Sequence, residues 1–178
     1  MIGIGDQAPE FDLPNTDGDQ QPLQTPAVVI FTCNHCPYAL AWHGRLMQAA
    51  RDYPDVHFFA INPNDAERYP RDSFDAMKER VRAGERWPMP YLRDESQEVA
   101  RAYRAACTPD FFLFDGSRRL VYRGQFDASR PRNDVPVTGG DLRAACDAVL
   151  AGRMPSADQR SSIGCNIKWK RGNEPDYY

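Results

Sequence analysis

The chain has 178 residues, of which 42% are hydrophobic and 26% charged, with a formal net charge of -3. That length supports one domain with a proper core. The mildly acidic balance gives no nucleic-acid footprint, and no stretch nears the roughly 18 apolar residues of a membrane span.

The start, Met1-Ile2-Gly3-Ile4-Gly5-Asp6, has neither a basic n-region nor an apolar h-region. No signal peptide is expected, and the expected compartment is the cytoplasm. Thiols are kept reduced there, and five cysteines is an odd number. A cysteine pair therefore reads as catalytic or redox-sensing rather than as a staple.

Residues 1–26 are turn-rich. Phe11-Asp12-Leu13 and Gln20 to Leu23 flank Asp17-Gly18, which predicts a small N-terminal hairpin. Ala27-Val28-Val29-Ile30-Phe31 is a buried strand by its β-branched, apolar run. Trp42, Leu46, Met47, Ala50 and Tyr53 recur at helical spacing, predicting a helix over 36–52. Val56 to Ile61 is the next strand, apolar on both faces as a parallel strand is. His57 within it reads as a core or edge histidine, and His43 on the first helix as structural.

Residues 65–72 read as a polar connection. Phe74, Met77 and Val81 mark a helix that Gly84 stops. Tyr91-Leu92 is a short strand, and Asp94 caps a helix with Val99, Ala102 and Tyr103 on its inner face. Thr108-Pro109 precedes the strand Phe111 to Phe114; cis and trans are both open from the local sequence. Asp115-Gly116 turns the chain into an antiparallel strand, Leu120-Val121-Tyr122. The last helix is Asp141 to Leu150, with Cys146 as a small core residue. Residues 153–162 read as a linker. Alternating Ile163, Cys165, Ile167 and Trp169 predict a tail strand that docks on the body.

Cys33-Asn34-His35-Cys36 sits where the first strand meets the first helix. A C-x-x-C at that junction is a thioredoxin-type redox signature. A thiolate there faces unpaired backbone N–H groups and the positive end of the helix dipole. A free thiol titrates near ~8.5. The dipole supplies at most ~2 kcal/mol, or about 1.5 units. Further lowering needs N–H bonds or a cation, and His35 is placed to supply either. Cys33 is expected at the exposed helix mouth as nucleophile, with Cys36 as the resolving thiol. Pro37 suits a first helical turn. Two other readings are weighed. Zinc knuckles need a second Cys/His pair at knuckle spacing, which is not visible. A c-type haem site needs His after the second Cys, where Pro37 stands.

Gly5-Asp6-Gln7-Ala8-Pro9-Glu10-Phe11 and the element order resemble the thioredoxin-like superfamily in its AhpC/TSA-type redoxin form. Phe31 to Tyr38, Ala60-Ile61-Asn62-Pro63-Asn64-Asp65, Asp94 to Ala100 and Ile163 to Trp169 are similar to bacterial cytosolic redoxins described as thiol-disulfide isomerase/thioredoxin proteins. The resemblance implies an α/β fold: a central mixed β-sheet flanked by helices, with an N-terminal hairpin extension and a C-terminal docking tail. It implies one domain over 1–152 with 153–178 packed on it. It makes Pro109 the cis-proline that faces the pair and receives substrate backbone, with Thr108 beside it.

The chain departs from the related patterns at three places. In the peroxidatic P-x-x-x-T-x-x-C pattern, Pro26 fits but Ile30 replaces the Thr. The strand at 27–31 lacks thioredoxin's buried acid, for which Asp110 is a candidate substitute. Thr32 stands where thioredoxin has Trp.

The expected function is therefore a thiol-disulfide oxidoreductase with no organic cofactor. It would act on a protein or small-molecule disulfide and take electrons from an upstream thiol reductant, with no nucleic-acid or membrane partner. Cys33, Cys36, His35 and Pro109 carry the chemistry; Asn34, Thr108, Asp110, Cys107 and Cys165 are possible auxiliaries. Cys165 is expected as a third thiol, as a partner of Cys107, or as a docking residue. The alternatives are an antioxidant thiol peroxidase and a metal binder using Cys33, Cys36, His35 and Cys107.

Overall fold

The computed structural model describes residues 2–84 and 86–177. A hairpin, β1 (Asp12–Pro14) and β2 (Gln20–Pro22), leads into β3 (Ala27–Phe31), α1 (Pro37–Asp52) and β4 (His57–Asn62). After a 3-10 turn at Pro70–Asp72 come α2 (Phe74–Ala83), β5 (Tyr91–Arg93) and α3 (Glu98–Ala102). Then follow β6 (Cys107–Thr108), β7 (Asp110–Phe114), β8 (Leu120–Gly124), α4 (Gly140–Leu150) and β9 (Cys165–Asn166).

The main sheet runs β5-β4-β3-β7-β8. β3 is parallel to β4 and antiparallel to β7, so the sheet is mixed. All five residues of β3 are buried, because both of its faces are covered. On one face, Val28 and Ile30 join Trp42, Leu46 and Met47 of α1 and Leu142 and Cys146 of α4. On the other, Val29 and Phe31 join Phe11, Tyr103, Phe112 and the tail residues Ile167 and Trp169. Pro37 occupies the first turn of α1, where no N–H is needed. Among the described residues no helix is long and apolar enough to cross a membrane.

Several local expectations are corrected. α3 begins only at Glu98, after Gln97 at φ 65°. Asp94 still serves it, its Oδ2 accepting from the Ala100 N–H at 2.8 Å. That late start puts Ala100 and Tyr103 inside and leaves Ala102 exposed. His57, expected in the core or at an edge, is exposed at the start of β4. Segment 153–162 is not a free linker. It lies along β8, where Gln159 accepts from the Arg123 N–H at 2.9 Å and the Ser162 hydroxyl donates to the Gly124 carbonyl at 2.7 Å. The tail pairs as a strand only at Cys165–Asn166. Ile163 stays exposed, while Ile167 and Trp169 are buried as expected.

Two glycines offer a check on this packing. Gly139, before α4, has φ +69° and would put a Cβ 2.5 Å from the Phe126 ring; Gly152 has φ +67° with open space. In urea unfolding, Gly152→Ala should cost about 1–2 kcal/mol for the left-handed backbone. Gly139→Ala should cost a further ~1–3 kcal/mol from overpacking. Equal costs would contradict the Phe126 contact.

Candidate active site

The end of β3 and the start of α1 hold Cys33-Asn34-His35-Cys36, with Cys36 as the N-cap of the helix. All five cysteines are free thiols, and four are buried. Cys33 is 1% exposed, so the expected exposed mouth is corrected: both sulfurs of the pair lie inside. Thr108 and the tail stand over them. Cys36 Sγ lies 2.9 Å from the Thr108 carbonyl oxygen, and Cys33 Sγ lies 3.6 Å from Thr108 Oγ1. The Thr108–Pro109 bond is cis, as is Thr25–Pro26. Thr108 is itself paired with Cys165 across β6 and β9. The backbone beside Pro109, expected to receive substrate, is occupied there by the chain's own tail.

The intervening residues are pinned from below. The Asn34 N–H donates to Asp72 Oδ1 at 2.7 Å, and its side chain donates to the Arg71 carbonyl at 2.7 Å. Asn34 Oδ1 accepts from Tyr91 at 2.9 Å and from Arg80 at 3.2 Å, and Arg80 also donates to the Cys33 carbonyl at 3.1 Å. Arg80 further approaches His43 at 3.4 Å. Burial, then Arg80, lowers His43's pKa, so this histidine rests neutral in a structural place.

Asp72 is the functional residue that the sequence reading missed. It is fully buried, and the amides of Asn62 (3.3 Å) and Asn64 (2.9 Å) donate to it. His35 Nδ1 lies 2.7 Å from Asp72 Oδ2, an ion-pair distance whose ring direction makes no linear hydrogen bond. The His35 ring stacks on Tyr69 at 5.7 Å. The signal available in the sequence was Asn62-Pro63-Asn64: two amides at the end of a buried strand need a buried partner. Asp110, the expected substitute acid, lies elsewhere. It accepts from the Ala106 N–H at 3.1 Å and sits 3.8 Å from Arg123. Burial raises its pKa. With Cys107 it lines a separate cavity of about 220 Å³. The Cys107 thiol, pushed up by burial and then by Asp110, donates to the Pro109 carbonyl at 3.4 Å.

The two sulfurs titrate as one unit. With Cys33 as donor, their hydrogen bond pulls Cys36 down to about 4, helped by the Ala39 N–H and by Cys165. The same bond, burial and the Asp72 charge push Cys33 up. Ionising one thiol of the pair therefore opposes ionising the other. The Thr108 carbonyl, an acceptor only, favours a proton on Cys36 whenever Cys33 gives its own away.

Among the described residues, Cys33, His35 and Asp72 bring ligand atoms within 4.8 Å of one another. This is not the expected set of Cys33, Cys36, His35 and Cys107. Asp72 already takes three protein donors, and a structural zinc site wants four ligands.

A buried cysteine pair at a helix N-terminus beside a mixed five-stranded sheet is a thioredoxin-like arrangement. A model of the AhpC/TSA family matches residues 4–123, and the chain belongs to that family. The chain is similar to an uncharacterized conserved protein from Geobacillus kaustophilus, with 50% identity over 96% of this chain and 94% of that one and a TM-score of 0.91. It is equally similar in structure to a hypothetical protein from Sinorhizobium meliloti 1021, at 46% identity, 97% of each chain and a TM-score of 0.92. A putative thiol:disulfide interchange protein DsbE from Chlorobium tepidum shares the fold at 23% identity, over 69% of this chain and 85% of that one, with a TM-score of 0.56. No curated protein matches the chain.

Thiolate absorbance tests the shared proton. In reduced protein, ionisation of Cys36 should appear far below the ordinary ~8.5. Cys33→Ala removes the donor, worth about 1.5–3 kcal/mol to a charged acceptor, and should raise that step by ~1–2 units. Cys33→Ser keeps a donor and should raise it less. The sign for stability follows. Cys36, lowered to about 4, adds stability to the reduced fold as pH rises toward the unfolded thiol range, and the raised Cys33 takes stability away above that range. The Cys36 contribution is lost as pH falls toward 4.

Proposed function

We propose that the chain is a thiol-disulfide oxidoreductase in which Cys33 attacks and Cys36 resolves. The observation that carries the reading is the buried Cys33/Cys36 pair at the start of α1, with Cys36 Sγ 2.9 Å from the Thr108 carbonyl oxygen and Cys33 Sγ 3.6 Å from Thr108 Oγ1. Cys36 is ringed by Cys33, Thr108, Ala39 and Cys165, which leaves Cys33 as the attacking sulfur. As Cys33 attacks one sulfur of a protein or small-molecule disulfide, its proton passes to the Cys36 thiolate. The other substrate sulfur leaves as a thiolate. The new Cys36 thiol is held by the Thr108 carbonyl, while Thr108 Oγ1 and the His35 N–H favour negative charge on Cys33.

Cys36 then gives its proton to the departed thiolate or to water. It attacks Cys33 Sγ and expels the second substrate thiolate. The substrate disulfide gains two electrons and becomes two thiols; the pair loses two and becomes a disulfide. An upstream thiol reductant returns the pair to its starting state. Asp72, with Asn62 and Asn64, fixes the Asn34 backbone and so positions the loop.

Thiol peroxidase action is the second reading, favoured by the family and by the Thr108 hydroxyl 3.6 Å from Cys33 Sγ, where Ile30 stands in the Thr position. Turnover of oxidised glutathione with dithiothreitol as donor distinguishes the two when run beside hydrogen peroxide. Cys36→Ser should accumulate a mixed disulfide on Cys33, seen by mass spectrometry, and Cys33→Ser should fall to the uncatalysed rate. Trapping on Cys36 in the Cys33→Ser variant would reverse the roles. Peroxide consumption outrunning disulfide turnover would favour the peroxidase.

A further inference from the structure

The tail brings a third thiol to the pair. β9 runs antiparallel to β6, with Thr108 opposite Cys165 and Cys107 opposite Asn166. Opposed residues share a face and neighbours alternate. Cys165 therefore faces the side that Thr108 faces, toward the redox pair, and Cys107 faces away. Cys165 packs against Cys33, Cys36 and Ala39, and it hydrogen-bonds Cys36 through both its thiol and its backbone N–H. The approach is fitted closely. A Cβ on Gly164 would lie 2.2 Å from the Thr108 carbonyl oxygen and 3.1 Å from the Pro109 nitrogen. The tail is also locked beyond this point. The Lys168 N–H donates to Asn64 Oδ1 at 2.9 Å, and the Lys168 carbonyl accepts from Asp65 N–H at 2.7 Å. Asn64 is the same residue that donates to Asp72.

From this juxtaposition, and resting on the thiol-disulfide function proposed above, we infer that Cys165 is a third redox thiol that takes the disulfide from the buried pair and presents it to the thiol donor. Its thiolate attacks Cys36 Sγ of the Cys33–Cys36 disulfide. The Cys36–Cys165 bond forms, the Cys33–Cys36 bond breaks, and Cys33 leaves as a thiolate. No electrons enter or leave in this exchange, and the proton of Cys165 goes to water. A thiol of the reductant then attacks Cys165 Sγ and releases the Cys36 thiolate. A second thiol of the reductant resolves the resulting mixed disulfide, which restores three reduced cysteines.

The gain is access. Cys33 and Cys36 are 1% and 0% exposed, whereas Cys165 is half-buried. In the reduced protein burial and then Cys36 push Cys165 up to about 11. Once Cys36 is in a disulfide its charge no longer opposes a Cys165 thiolate, and burial and Lys168 are left acting in opposite directions. The relay has a disulfide to attack only once the pair is oxidised.

Disulfide mapping by mass spectrometry, after oxidation with one equivalent of diamide and alkylation, tests this on the full chain. In Cys33→Ser, the remaining thiols should yield a Cys36–Cys165 disulfide and no Cys107 pairing. In Cys165→Ser, the Cys33–Cys36 disulfide should still form, but its reduction by glutathione should slow about tenfold or more, because the accessible sulfur is gone. Gly164→Ala, which pushes the tail off Thr108, should abolish the Cys36–Cys165 link and leave the Cys33–Cys36 disulfide. If the wild type forms Cys33–Cys36 but Cys33→Ser never links Cys36 to Cys165, the relay is overturned and the oxidoreductase stands. If the wild type forms no Cys33–Cys36 disulfide, the oxidoreductase itself fails.

Discussion

A thiolate taken out of water needs donors to replace the ones it has lost, or it takes up a proton instead. The rest of the site depends on meeting that condition at Cys36. The sulfur has no exposure, yet it is met by the Cys33 thiol, the Ala39 N–H and Cys165. The helix N-terminus supplies one of these, the motif's own first cysteine another, and a strand more than 120 positions further along the chain the third. Because the charge is satisfied chiefly by another cysteine, ionising one thiol raises the other. In the proposed reaction, moving a proton from Cys33 to Cys36 frees the attacking sulfur and makes Cys36 a donor that the Thr108 carbonyl holds at 2.9 Å.

The second buried charge is handled differently. Asp72 lies under the motif with no exposure. It is satisfied by one backbone N–H and two amide side chains, with His35 at 2.7 Å. Its charge opposes ionisation of Cys33. It therefore works to keep the negative charge on Cys36 at rest while it fixes the loop through Asn34. The same Asn64 that supports Asp72 also accepts from the tail at Lys168, so the floor of the motif and the strap over it are joined by one amide.

The sheet, the hairpin and the helices were legible because their signals are local. β3 reads from five consecutive apolar residues, α1 from its spacing and Pro37, and the hairpin from Asp17-Gly18. The site was legible only where chemistry sits in the motif. Asp72 was read as part of a polar connection because nothing local says that a 3-10 turn after Pro70 folds under the cysteines. The tail was expected to dock, and Ile167 and Trp169 do so. Its strand is two residues rather than seven, Cys165–Asn166, and Gly164 just before it lies too close to Thr108 for a side chain. Segment 153–162 looked like a linker from its polarity. Its Gln159 and Ser162 instead supply the partners that the edge of β8 lacks.

The central claim is that Cys33 and Cys36 form a working two-electron couple. Its most direct test is the reduction potential of that pair, measured by equilibration with glutathione in the Cys107→Ser, Cys165→Ser background. The account predicts a single two-electron transition between about -270 and -180 mV. If no Cys33–Cys36 disulfide forms at any glutathione ratio, the account is contradicted.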